Sequence, residues 1–147
     1  MKNYARILVA IDYSDHGGQV LERALQLAAD HDAALHLVHV VEYLPPMVMG
    51  EEPFPSADWV INEEQLLENA RQQMQTIAAG IAALSVTRHV LIGTPRHELC
   101  RIAEQEKVDL VVSGSHGRHG VARILGSTAS GLMHHLHCDL LLVRIAG

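Results

Sequence analysis

Two clusters in this 147-residue chain have residue types and spacing that could do chemistry. The first is Ala10-Ile11-Asp12-Tyr13-Ser14-Asp15, where a carboxylate follows directly on an apolar run. A carboxylate at the end of a strand can accept hydrogen bonds from sugar hydroxyls or a base edge. It can equally satisfy N–H groups of its own turn. The second is Ser113-Gly114-Ser115-His116-Gly117-Arg118-His119-Gly120, followed by Gly126-Ser127-Thr128. Glycines let backbone N–H groups approach an anion, and a Ser-Thr pair opening a helix adds hydroxyl donors at its positive end. Gly114, Gly117, Gly126, Ser127 and Thr128 could therefore cradle phosphates. No Lys-Ser or Lys-Thr follows the glycines, and their spacing is not G-x-G-x-x-G, so this is neither of those phosphate-binding loops.

Other residues that invite a chemical role point to simpler ones. His116, His119, His134, His135 and His137 crowd the last third without the spacing of a zinc site. No metal site is expected there, although His116 sits within the loop. Asp12, Ser14 and His16 lie close together, but no G-x-S-x-G elbow accompanies them and no catalytic residue is assigned. Phe54 and Trp59 bracket a proline-rich stretch and are expected to fasten it to the body. Cys100 and Cys138 form no CxxC pattern. They are expected to be small buried hydrophobes in a reducing, cytoplasmic compartment.

Elements that must position these clusters follow from hydrophobic patterning. Four apolar runs predict buried strands: Arg6 to Ile11, Ala34 to Val41, Asp109 to Gly114 and Asp139 to Arg144. A more alternating run, Val86 to Ile92, predicts a strand nearer an edge. Helical periodicity falls between them, over Gly18 to His31 and Asp58 to Leu84. Ser14 or Asp15 could cap the first helix. Thr94-Pro95 predicts the start of a third helix through Leu99, Ile102 and Ala103. A last helix is expected from Ser127 to about Leu136, with Gly131 an unfavourable residue inside it. Glu42 to Ala57, with four prolines, reads as a surface loop. Strict alternation of strand and helix predicts an α/β fold: an open, doubly wound, five-stranded parallel sheet in one domain, residues 1–147. Such sheets bind ligands at the C-terminal ends of their strands, where strand order reverses.

Composition excludes several classes. Hydrophobic residues make up 48% of the chain, enough for a core without disulfide or metal staples. Seventeen acidic and eleven basic residues give a formal charge of −6, which disfavours nucleic acid as a partner. Eleven histidines would bring that charge to +5 if all were protonated. No apolar stretch reaches membrane-spanning length, and the N-terminus has no cleavable leader pattern, so no membrane association is expected.

In sequence, Ile7-Leu8-Val9-Ala10-Ile11-Asp12-Tyr13-Ser14, His39-Val40, Gly93-Thr94-Pro95, Gly114-Ser115-His116-Gly117-Arg118, Gly126-Ser127 and Asp139 to Arg144 resemble the universal stress protein family, small single-domain type. The resemblance runs through nearly the whole chain. It implies a Rossmann-like, adenine nucleotide alpha hydrolase-like fold with strand order 3-2-1-4-5. It implies a stress-response regulatory protein that binds ATP without fast hydrolysis, Mg²⁺ entering only with the nucleotide. Asp12 would lie by the ribose and adenine, and main-chain groups near Ala10 and Val40 would hold the base. The backbone of Gly114 and Gly117, with Gly126, Ser127 and Thr128, would wrap the phosphates. The family's ATP-binding pattern has nine residues between the second glycine and Gly-Ser. Here Arg118 to Leu125 is eight. The alternative within the family is a dimeric interaction module that binds no nucleotide. An enzyme on the same fold is a third reading, but no nucleophile and base are seen together.

The apolar run Leu140-Leu141-Leu142-Val143 would be an association hazard at a sheet edge. Pairing with a twin strand across a two-fold axis would cover it, and the resemblance implies such a homodimer. Other protein partners, and the stress they answer to, are not legible.

Overall fold

The computed structural model describes residues 3–14, 17–42, 57–81, 85–115 and 127–145. Along them strand and helix alternate strictly: β1 (Arg6–Ala10), α1 (Gly17–His31), β2 (Ala34–Val41), α2 (Ala57–Ala79), β3 (Val86–Ile92), α3 (Pro95–Gln105), β4 (Leu110–Gly114), α4 (Ser127–His135) and β5 (Asp139–Val143). The strands form one parallel sheet in the order β3-β2-β1-β4-β5, as expected. The run Val86 to Ile92 is indeed an edge strand, and β5 is the other edge.

Alternate side chains of each strand feed two cores. Ile7 and Val9 of β1, Leu35 and Leu37 of β2, and Leu110 and Val112 of β4 meet Val20, Ala24 and Ala28 of α1 and Met74 of α2. Leu8, Val38, Val40 and Val111 meet Leu99, Ile102 and Ala103 of α3 and Leu132 of α4 on the opposite face. The three central strands are thus covered on both faces, which is why they read as near-continuous apolar runs. Strand β5 is equally apolar, yet Leu140 to Val143 are only half-buried. On β3, Thr87 and Arg88 are exposed.

Several boundaries differ from the sequence expectation. Strand β1 stops at Ala10, although the Ile11 amide still donates to the Val38 carbonyl at 2.8 Å. Strand β4 starts after Asp109, whose carboxylate instead accepts from the Ala5 and Arg6 amides at 2.9 and 3.1 Å. Strand β5 ends at Val143, and α4 at His135, one residue short of the expectation in each case. Helix α2 ends at Ala79 rather than continuing towards Leu84. There the Gly80 and Ile81 amides turn back to the Ile77 and Ala78 carbonyls at 3.2 and 3.1 Å, a tightened terminus. Thr94 does stand at the N-cap of α3 with Pro95 following, but its side chain makes no capping hydrogen bond.

Among the described residues no helix is long and apolar enough to cross a membrane. Cys100 and Cys138 are half-buried thiols packed against the α3–α4 core. Burial raises the Cys100 pKa. Phe54 and most of the proline-rich stretch lie outside the described residues, as does the side chain of Trp59.

Candidate functional site

Sequence order reverses between β1 and β4: β1 leads to β2 on one side, while β4 lies against it on the other. The register Val9↔Val112 places the ends of these two strands together. A crevice beyond the carboxyl ends of strands at such a reversal is where open α/β sheets take ligands.

One wall comes from β1 and the turn after it. Ala10 closes the strand on the α3–α4 face, half-buried. Asp12 is also half-buried. Its Oδ1 accepts from the Ser14 amide at 3.0 Å and the Ser14 hydroxyl at 2.7 Å. The Ser14 side chain thus tightens the turn through Asp12, and Asp15, the other proposed cap, lies outside the described residues. The bare Cα of Gly17 lets the first turn of α1 come close, since a Cβ there would stand 3.3 Å from Asp12 Oδ1.

Tyr13 sits between these residues with φ 59°, a left-handed conformation rare for a bulky side chain. Its ring lies 3.9 Å from that of His39 on β2, at an interplanar angle of 31°. The hydroxyl donates to the Ala70 carbonyl of α2 at 2.7 Å. Burial pushes the Tyr13 pKa up to about 12. His39 Nδ1 in turn lies against the Ile11 carbonyl. The next residue, Val40, is buried on the α3–α4 face. The ends of β1 and β2 are therefore joined by a two-ring platform.

The other wall comes from β4 and α4. Gly114 ends β4 opposite Val143. The Ser115 amide donates to the Val143 carbonyl at 2.9 Å, and the Ser113 hydroxyl donates to the Gly114 carbonyl at 3.2 Å. Ser113 and Ser115 are both buried. Ser127 and Thr128 form the first turn of α4, exposed and half-buried respectively. Amides at such a turn present the positive end of the helix.

Of the residues expected at the site, Ala10, Asp12, Val40, Gly114, Ser127 and Thr128 are therefore strand ends or a helix start. Gly117, Gly126 and the eight residues between them, with His116 and His119, lie outside the described residues. The Tyr13–His39 platform was not foreseen. Its two rings stand 26 positions apart on different elements, and the only hint is an aromatic residue directly after the strand-ending carboxylate.

Chemically, this end of the sheet offers a carboxylate, small residues that bare the backbone and a helix N-terminus. That set suits a ligand with hydroxyl donors and an anionic group. Lys107, the one lysine among the described residues, lies in the turn between α3 and β4, at the other end of the sheet. Among the described residues no group of three or more His, Cys, Asp or Glu is placed to hold a metal ion. His134, His135 and His137 are exposed.

Comparison with known proteins gives the same answer from sequence and from fold. The model of the universal stress protein family matches residues 3–144. The chain is 37% identical over 142 residues to universal stress protein A homolog 1 of Coxiella burnetii, covering 96% of each chain. Among solved structures it is similar to universal stress protein UspA from Lactobacillus plantarum, with a TM-score of 0.73, 27% identity and coverage of 99% and 100% of the two chains. A universal stress protein solved in complex with cAMP aligns at TM-score 0.62 and 28% identity, covering 97% of this chain and 98% of the other.

Proposed function

The chain belongs to the universal stress protein family, and from that premise we propose that it is a stress-response regulatory protein that binds an adenine nucleotide, ATP in the first place, at the carboxyl ends of β1 and β4. The observation that carries this reading is the reversal of strand order between β1 and β4 and what stands at their carboxyl ends. Asp12 is fixed on one side by Ser14, while Gly114 and the first turn of α4 stand on the other. In this reading Asp12 accepts from the ribose, and main-chain groups at Ala10 and Val40 hold the base. The backbone of Gly114, Gly117 and Gly126, with the Ser127 and Thr128 hydroxyls, takes the phosphates. Mg²⁺ arrives with the nucleotide. A relative's complex with cAMP supports an adenine nucleotide as the ligand class.

Turnover is slow or absent in this reading. Phosphoryl transfer needs a placed cation and a residue that orients the attacking water. The one lysine among the described residues, Lys107, lies in the turn between α3 and β4, at the other end of the sheet.

The test is to denature freshly purified protein and identify any released small molecule by chromatography and mass spectrometry. Near-stoichiometric ATP or ADP supports the reading. Gly117→Val, which blocks backbone approach to the phosphates, should then abolish binding. An empty protein that shows no thermal shift with millimolar Mg-ATP or cAMP overturns it.

A second reading has its own observation: the spacer of eight residues, one fewer than the family's ATP-binding pattern. Here the loop closes the site, and the chain acts as a dimeric interaction module. Both readings include a homodimer through β5. Leu140, Leu141, Leu142 and Val143 are apolar but half-buried, and β5 has a strand neighbour on one side only. A groove of about 380 Å³ runs beside that edge, between Gln19, Glu22 and Arg23 of α1 and Leu141 to Arg144.

A further inference from the structure

Midway along β2 and β3, two histidines share a hydrogen bond. His36 is the third residue of β2 and His89 the fourth of β3. His36 Nδ1 stands 3.1 Å from His89 Nε2. The rings are inclined by 21° with centres 5.3 Å apart, close to the bond plus the two ring radii, so each nitrogen is aimed at the other. His36 shares its face of β2 with Val38 and Val40, and His89 shares its face of β3 with Leu91, all packed towards α3. His36 is only 6% exposed.

This geometry limits the protons the pair can carry. In the neutral pair one ring N–H donates to the lone pair of the other. A first added proton goes to the outer nitrogen of the donor ring, and the bond survives. A second must take the acceptor's facing lone pair, so the bond is lost and two cations face each other. We propose that the His36–His89 pair is an acid-sensitive clasp on β3, closed while at most one ring is charged and opened by the second proton.

The surroundings favour the closed form. Burial lowers the pKa of both histidines below the ordinary 6.5. A charge on His89 lowers His36 further, as does Arg6 of β1, and Arg101 of α3 lowers His89. Glu106, after α3, opposes this by raising both. The sign follows. The unfolded chain binds more protons than the folded one below pH 6.5, so the contribution is complete above that value. It is lost as pH falls through the folded values. Among the described residues β3 has a strand neighbour only in β2, so parting the rings loosens a strand held on one side. The clasp does not depend on nucleotide binding, since neither histidine is among the residues proposed to hold the nucleotide.

Two measurements on the whole protein test it. Imidazole ¹⁵N spectra recorded from neutral to mildly acidic pH should show two rings titrating as a coupled pair below the other histidines. At neutral pH one proton should lie between the facing nitrogens. Hydrogen exchange at residues 86–92, corrected for intrinsic chemistry, should accelerate over the same range, by up to about tenfold per pH unit for each proton taken up. His89→Gln keeps a neutral hydrogen-bonding partner for His36 and should flatten that response. Independent titration of both rings at the ordinary value overturns the proposal, and so does pH-invariant protection of β3 relative to β1. The spectra of the unmodified protein decide the matter even if the variant fails to fold.

Discussion

The side chain of Arg96 lies across the bare Cα of Gly131, so close that a methyl group there would stand 2.7 Å from its Cδ and 2.8 Å from its Cβ. A long side chain can swing its end away, but its Cβ moves only with the backbone. Gly131 is thus the notch that lets α3 and α4 pack together.

Gly131→Ala should therefore destabilise the protein although alanine is the better helix former. The propensity gain is about 1 kcal/mol, and forcing a methyl into a packed contact costs about 1–3 kcal/mol. A net loss of about 1 kcal/mol is expected in urea unfolding. A variant as stable as the parent would mean that the two helices separate without cost.

Tyr13→Phe removes the hydroxyl that donates to the Ala70 carbonyl at 2.7 Å. A loss of about 1 kcal/mol is expected, the usual worth of such a bond. In the parent, burial pushes this phenol up to about 12 from 10.0. Its contribution to stability is complete below pH 10 and is lost as pH rises through the folded value. Phenolate absorbance should show the Tyr13 ionisation delayed until unfolding, and the variant should lack that late phase. A single unshifted phenolate transition in the parent would contradict the burial.

Asp12→Asn retains a side-chain oxygen to accept from Ser14, so the turn and the thermal midpoint should change little. The charge that strengthens a hydrogen bond from a ribose hydroxyl is lost. Calorimetric titration with Mg-ATP should show affinity reduced by about tenfold, equivalent to about 1.4 kcal/mol. Unaltered affinity would remove Asp12 from the site.

Leu141→Lys and Val143→Lys place charges on the half-buried face of β5. Light scattering should give a dimer mass for the parent and a monomer mass for both variants. A dimer that survives both substitutions would locate the interface elsewhere.

The sheet and its covering helices were legible because β1, β2 and β4 are buried on both faces and so spell near-continuous apolar runs. Edges of elements were less legible. Asp109 looked like the start of a strand, yet its carboxylate serves the amides at the start of a neighbouring one. Ile81 extended the helical period past Gly80, where the backbone had already turned. That Asp12 follows β1 and Gly114 ends β4 could be read from the residues around them. The Tyr13–His39 and His36–His89 pairs could not, because each joins residues that only the sheet brings together.

The two edges of the sheet are not alike. Strand β3 carries exposed Thr87 and Arg88, and β5 carries an uninterrupted run of leucine and valine. Polar and charged side chains discourage a further strand from adding. If copies join through β5, the sheet doubles to ten strands and both of its ends become β3. Growth then stops at two, and an apolar edge that could seed a fibre is consumed by a closed assembly.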